Sequence, residues 1–433
     1  MEIRDLELYS STRRAGGIYI SIASTSYHTV VTNVRANNAY IVFYVAPDAP
    51  AASPTLTVNT FTSWNHKDTF MLVDNCSGIH LKNIYVWVNP LDQATRGIRI
   101  RKGAGFHFDH VQIMGSGLGM AIDPSAGNYV KHMFLHDFIV DTCDDNAFTC
   151  TGDGYIESIL CEDLWLGNND GHGLFLYDAP ELKTFIVSGG RIRENGLAGV
   201  RMGANGGMDV LFDGVQIGGN GQLDSGGVSN AGLSISGGEA TLSNCILSDT
   251  VETVTGNQDY GIYMTAGTLY VYDNLLQGNV TAPVYYSGGT LVCPEKFIKV
   301  SDPDGAIGTH PAVVLPDGAD TPVYDQLYMP LSFQQIISLQ AVIVSGGTGD
   351  MRRYAASSWG LLGTDDYDTS ADSLVGAQVA VTADKLELID ISALFTGIVA
   401  GELAGFTFTR EATNVADTVN ADCYYLGIRV RYV

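Results

Sequence analysis

Two stretches decide the fold: MFLHDFIVDTCDDNAFTC at residues 133–150 and ILCEDLWLGNNDGHGLFL at residues 159–176. They have the same plan, one unit apart. Each runs through a short apolar strand, a turn residue (Asp137 or Asp163), a second apolar strand, a polar corner and a third strand. Outward from this pair the plan repeats. Strands led by Asn83, His110, Asp137, Asp163, Gly189, Gly214, Asn244 and Asn274 follow one another at steps of about 26 residues, with a further strand after most of them, as at Gly119, Ala147, Gly173 and Gly199. Short alternating strands with no helical period between them describe coils of a parallel β-helix. A single coil cannot bury its inward face, whereas stacking at ~4.8 Å makes one continuous aliphatic column. The 50 glycines among 433 residues then mark corners, where the chain bends sharply and often needs positive φ.

The rest of the chain divides around this repeat. Residues 1–78 read as an N-terminal cap with irregular first coils, 79–289 as the β-helix, 290–325 as a turn-rich connector and 326–433 as an antiparallel β-sandwich of jelly-roll type. IDISALFTGI within the last segment reads as a short helix or a turn. The expected fold is therefore all-β, a right-handed parallel β-helix followed by a sandwich.

Composition narrows the function. With 47 acidic against 23 basic residues the formal charge is −24, which excludes nucleic acid as the main partner and argues against anionic membrane surfaces. No apolar run is long enough to span a bilayer, and MEIRDLELYSSTRRAGG lacks a signal-peptide core, so synthesis in a cytoplasm is expected. The seven cysteines show no CxxC pair and read as buried free thiols. No cofactor is expected. Calcium is a weak alternative at Thr151-Gly-Asp153-Gly and Asp302-Pro-Asp304-Gly, neither of which completes an EF-hand spacing; both read first as turns.

Aligning the coils on Gly119, Ala147, Gly173 and Gly199 places Asp144 beside Asp170, with Asp145, His172 and Arg201 around them and Arg99 further along the same row. Two carboxylates one strand spacing apart cannot both ionise freely, and such a pair suits glycoside cleavage. Trp165, facing outward by alternation, and Tyr177 are candidates for stacking on sugar rings or for packing between subunits. The bland alternative is that Asp, Asn, Gly and His are ordinary corner residues.

A β-helix followed by a sandwich resembles phage tailspikes and other phage surface proteins of the pectin-lyase-like superfamily. The C-terminal sequence shares their order of Gly401-Glu402, a strand Phe406 to Arg410, Asp417-Thr418 and an aromatic last strand Tyr424 to Tyr432. The resemblance implies a homotrimer on a virion surface, in contact with other virion proteins and binding host-surface polysaccharide. Asp144-Asp145, Gly171-His172-Gly173 and Arg191-Ile192-Arg193 partly resemble the polygalacturonase pattern, which implies aspartates as acid and base and His172 as their support. The alternative reading is thus a tailspike depolymerase that hydrolyses glycosidic bonds. A lyase using Asp144, Asp145, Asp170 and Arg201 is a weaker option, as is a secreted non-viral carbohydrate enzyme.

Overall fold

The computed structural model describes residues 2–9, 18–22, 28–47, 55–76, 78–89, 96–177, 181–203, 207–223, 229–249, 257–330 and 333–433. The chain forms two units, Met1–Val292 and Cys293–Val433.

The first unit is a parallel β-solenoid whose strands form one 25-stranded sheet. Long strands such as Tyr129–Asp141, Tyr155–Gly167 and Glu181–Arg193 stack in one column. Short strands Leu118–Ile122, Phe148–Cys150, Leu174–Leu176 and Val200–Met202 stack in another. Inward side chains align across coils: Phe106, Met133, Ile159, Phe185, Val210, Ala240 and Leu269 form one fully buried row. Burying such a side chain contributes roughly 1.5–3 kcal/mol, so each coil is stabilised mainly by its neighbours.

The turn residues read from the sequence bend the long strands. Asn83, His110, Asp137, Asp163 and Asn244 all take φ between 48° and 58°. Gly189 and Gly214 occupy the same bend at φ 68° and 66°, without the Cβ clash that L-residues pay there. At the last of these bends the left-handed residue is Asp273, while Asn274 turns inward and accepts from the Cys245 N–H.

Two boundaries differ from the sequence reading. The solenoid register reaches back to the N-terminus: Glu2 pairs with Val30, Val31 with Val58 and Leu56 with Ile79. The described part of residues 1–78 therefore consists of coils in register with the rest. Their corners are occupied by Asn33, Asn38, Thr60 and Asn65 rather than glycine, which obscured the repeat. Most of the proline-rich stretch near residues 46–56 lies outside the described residues. The presumed connector 290–325 carries strands. Thr290–Val292 completes the solenoid, and Glu295–Lys299, His310–Leu315 and Thr321–Tyr328 belong to the second unit's sheets.

That second unit holds two antiparallel sheets. One runs Gly305–Ile307, His310–Leu315, Cys423–Tyr432, Ile336–Ser345, Leu386–Asp390, with Glu295–Lys299 also on Cys423–Tyr432. The other runs Thr321–Tyr328, Glu402–Arg410, Gly349–Leu361, Ser370–Val381. Leu339, Ile343, Trp359, Phe408 and Tyr425 share a single core drawn from both sheets. The segment IDISALFTGI contains a 3-10 turn, Ser392–Phe395.

The C-terminal motif has a physical basis here. Gly401 sits at φ 83°, and Glu402 accepts from the Val399 N–H at 2.6 Å. Arg410 is wholly buried, with a forked bond to Asp417 (3.0 and 2.8 Å) and further bonds to the carbonyls of Ala421 and Val419. Asp417 and Thr418 in turn accept the backbone N–H groups of Arg352 and Asp350. All seven cysteines are free and buried.

Candidate functional site

The polar corner between the long and short strands carries the predicted cluster. Its backbone continues the inter-coil hydrogen bonding: Asp144 N–H donates to Ser116 O at 3.0 Å and Asp170 N–H to Cys143 O at 2.9 Å. Asp144 and Asp170 therefore project from adjacent coils, about one strand spacing (~4.8 Å) apart. Partial burial and the neighbouring Asp170 charge hold the Asp144 carboxyl above its ordinary value. Asp145 is exposed beside them.

Beneath this corner runs a buried amide ladder that the sequence reading did not single out. Asn169 donates to Asn195 at 2.9 Å, Asn195 to Asn220 at 2.9 Å, Asn220 to Gln258 at 3.3 Å and Gln258 to Asn279 at 2.8 Å. Asn169 also accepts the Cys143 N–H at 3.0 Å, so the ladder fixes the residue that precedes Asp144. The only sequence signal was an amide two residues after a strand end at Asn169, Asn195, Asn220 and Asn279, a spacing that Gln258 breaks and that other corner asparagines hide.

His172 is 6% exposed. Its backbone N–H donates to Asn146 Oδ1 at 2.7 Å, and its Nδ1 lies 3.2 Å from the Ala198 carbonyl, which can only accept, so Nδ1 carries the proton. Burial, then the Arg201 charge, lowers its pKa to about 4. This histidine is a neutral corner support. From it a row of rings leads along the short-strand face: His172 stacks on Phe175 (5.3 Å), Phe175 on Tyr177 (5.5 Å), and the Arg201 guanidinium lies 5.4 Å from the Tyr177 centroid. Phe175 and Arg201 are direct cross-strand neighbours. Gly203 makes room for this row, since a Cβ there would lie 1.8 Å from the Tyr177 ring. No sequence signal marked it.

The other two candidates lie apart from this row. Arg99 shares its strand row but is engaged by Asp123, with Nε 2.8 Å from Oδ2, which raises the guanidinium pKa further. Trp165 lies on the long strand leading into the corner, with the Arg191 and Arg193 guanidinium groups 5.7 and 5.8 Å from its ring. Among the described residues, no group of three or more His, Cys, Asp or Glu side chains is placed to hold a metal ion. On the second unit, a cavity of about 850 Å³ is lined by Tyr324, Gln326, Ser358, Tyr367 and Gly405 among others.

No protein-family model matches the chain, and no curated protein matches it. Among solved structures it is similar to tailspike protein 2 of the Escherichia coli O157:H7 bacteriophage CAB120, at 11% identity over 94% of this chain and 67% of that one, with a TM-score of 0.31. It is also similar to a tailspike protein of Acinetobacter baumannii bacteriophage Fri1, described as a capsular polysaccharide depolymerase (10% identity, 93% and 82% coverage, TM-score 0.25). A third is the A-module of an Azotobacter vinelandii mannuronan C-5 epimerase (12% identity, 62% and 91% coverage, TM-score 0.23). At these scores and identities the likenesses decide nothing about what this chain binds. The resemblance to phage tailspikes read from the sequence recurs among them.

Proposed function

We propose that this chain is a virion surface protein of the tailspike type that binds host-surface polysaccharide. The observation that supports it best is the row His172–Phe175–Tyr177–Arg201, which starts at the carboxylate corner and ends on a cation. Sugar rings stack on aromatic faces, and a guanidinium offers several donors to their oxygens. Among the described residues, no carboxylate lies within ion-pair reach of Arg201. Homotrimer formation belongs to the same proposal. An outward apolar stripe of Phe134, Leu160, Ile186 and Leu211, in register on four consecutive coils, gives it a surface to use.

A second reading, glycoside hydrolysis, is favoured by one specific observation. Asp144 holds its proton more tightly than usual beside the Asp170 charge on the adjacent coil, as suits one acid and one ionised carboxylate acting as a pair. The test is to incubate the full chain with purified bacterial capsular and lipopolysaccharide glycans. Binding and release of reducing ends are measured for wild type, Tyr177→Ala with Arg201→Ala, Asp144→Asn and Asp170→Asn. Binding lost in the first variant supports the site. Cleavage lost in the aspartate variants while binding persists supports hydrolysis. If no glycan is bound the proposal fails, and if none is cut the hydrolytic reading fails.

A further inference from the structure

The chain has four tryptophans. Trp359 is 3% exposed in the second unit's core. The other three, separated by up to about a hundred residues of sequence, all fall on one outward face of the solenoid. Register shows this. Trp64, Trp87, Met114, Asp141, Gly167 and Arg193 form one row across six coils. Thr62, Tyr85, Gln112, Ile139, Trp165 and Arg191 form the row beside it. Trp64 and Trp87 are 46% and 39% exposed with rings 5.2 Å apart, and Tyr85 is 42% exposed. With Gln112 and Met114 these three line a shallow cavity of about 390 Å³.

Such rings are costly to leave in water, and the surface between them is not that of an ordinary apolar patch. Gln112 and Asp141 put polar groups between the aromatic end and Trp165. At the far end Arg193 is paired with Glu194 (2.6 Å), whereas Arg191 is exposed with no carboxylate in ion-pair reach among the described residues. In a chain of formal charge −24, this strip therefore ends on a free cation. The Trp165 ring lies against the two guanidinium groups, and its indole N–H is buried beside Gly167. Five strand spacings separate the ends, on the order of 24 Å.

Accepting that the chain binds glycans, we infer that the face carrying Trp64, Tyr85, Trp87, Trp165 and Arg191 is a second, extended glycan track, running along the solenoid axis and selective for acidic polysaccharide. The aromatic end stacks on sugar rings, Gln112 meets hydroxyls, and Arg191 receives a carboxylate. Spacing the platforms by whole coils suits a repeating polymer better than a compact ligand. This face is distinct from the row Phe175–Tyr177–Arg201, which belongs to the short-strand column.

The experiment uses the full chain and a panel of purified acidic and neutral bacterial capsular polysaccharides, with binding followed by calorimetry and tryptophan fluorescence. Three variants are compared with wild type: Trp87→Ala, Arg191→Ala and the pair Tyr177→Ala with Arg201→Ala. All alter exposed or half-exposed side chains, and circular dichroism checks their folding. The expected result is binding to an acidic glycan that weakens about tenfold or more in Trp87→Ala and in Arg191→Ala, with quenching of tryptophan emission. Binding that is unchanged in both variants but lost in the Tyr177/Arg201 pair overturns the track and leaves the first site standing. Binding confined to neutral glycans overturns the acidic selectivity. A change of oligomeric state in Trp87→Ala overturns the inference by making the strip an interface between copies. No binding by wild type removes both sites.

Discussion

Replacing Asn195 by Ala tests the buried amide ladder at its centre. Asn195 is fully buried; its side chain accepts from Asn169 Nδ2 (2.9 Å) and from the Asn169 N–H (3.3 Å), and donates to Asn220 Oδ1 (2.9 Å) and the Leu166 carbonyl (3.2 Å). Alanine removes all four bonds and leaves partners on the two flanking coils facing a small void. An orphaned buried polar group costs about 1–3 kcal/mol. Water can re-enter a polar void of that size, so the total is about 3 kcal/mol rather than the sum. In a solenoid each coil depends on its neighbours, so the loss is local and is read best as local opening. Native-state hydrogen exchange, resolved by peptide, should show amides at 166–170 and 192–196 exchanging about 100-fold faster, with the second unit unchanged. The control is Asn168→Gly. It removes the neighbouring amide, an exposed group with one bond to Asp141 at 3.1 Å, and glycine keeps the φ of 52°. Protection in Asn195→Ala within a few-fold of that control would refute the claim that the ladder, and not apolar stacking alone, holds this corner.

Three further outcomes follow from individual charged or titratable groups. Arg410→Met leaves the Asp417 carboxylate, 1% exposed, without its partner; the second unit should lose about 3–5 kcal/mol, monitored through Trp359 emission in denaturant, with partial recovery when Asp417→Asn is added. His172 should stay neutral down to about pH 4 because burial opposes its charge. A depressed pKa means that its contribution to stability is complete above the unfolded value of about 6.5 and is lost as pH falls towards 4. Ring resonances followed by NMR should titrate there. His136, bonded to Asp109 at 3.0 Å, should titrate above the ordinary value.

Much of the solenoid was legible because its signals are local and periodic. A left-handed bend favours Asn, Asp or Gly, and all but His110 in this row conform, so the bends at Asn83 to Asn244 could be read one by one. The neighbourhood of Asp144 and Asp170 followed from the same register. Other features depend on which coil lies above which. The ladder from Asn169 to Asn279 skips over a long excursion between Asn220 and Gln258, so no fixed period reveals it. The tryptophan strip is invisible without register, because Trp64 and Trp87 lie 23 positions apart (87 − 64) while the longer coils step by more. Arg410 looked like the polar end of a strand. Only the loop returning through Asp417 to Ala421 explains its burial.

The buried thiols bear on durability. Burial holds Cys143 up to about 12, and raises Cys150 and Cys161 as well. Oxidants and disulfides react with the thiolate, and at neutral pH almost none is present at these positions. With every cysteine a buried free thiol, the solenoid has no crosslink to lose in a reducing medium and little reactive thiolate to offer in an oxidising one. An oxidant can reach such a sulfur only when its coil opens, so the hydrogen bonds along the corner, among them that from the Cys143 N–H to Asn169, also shield these thiols.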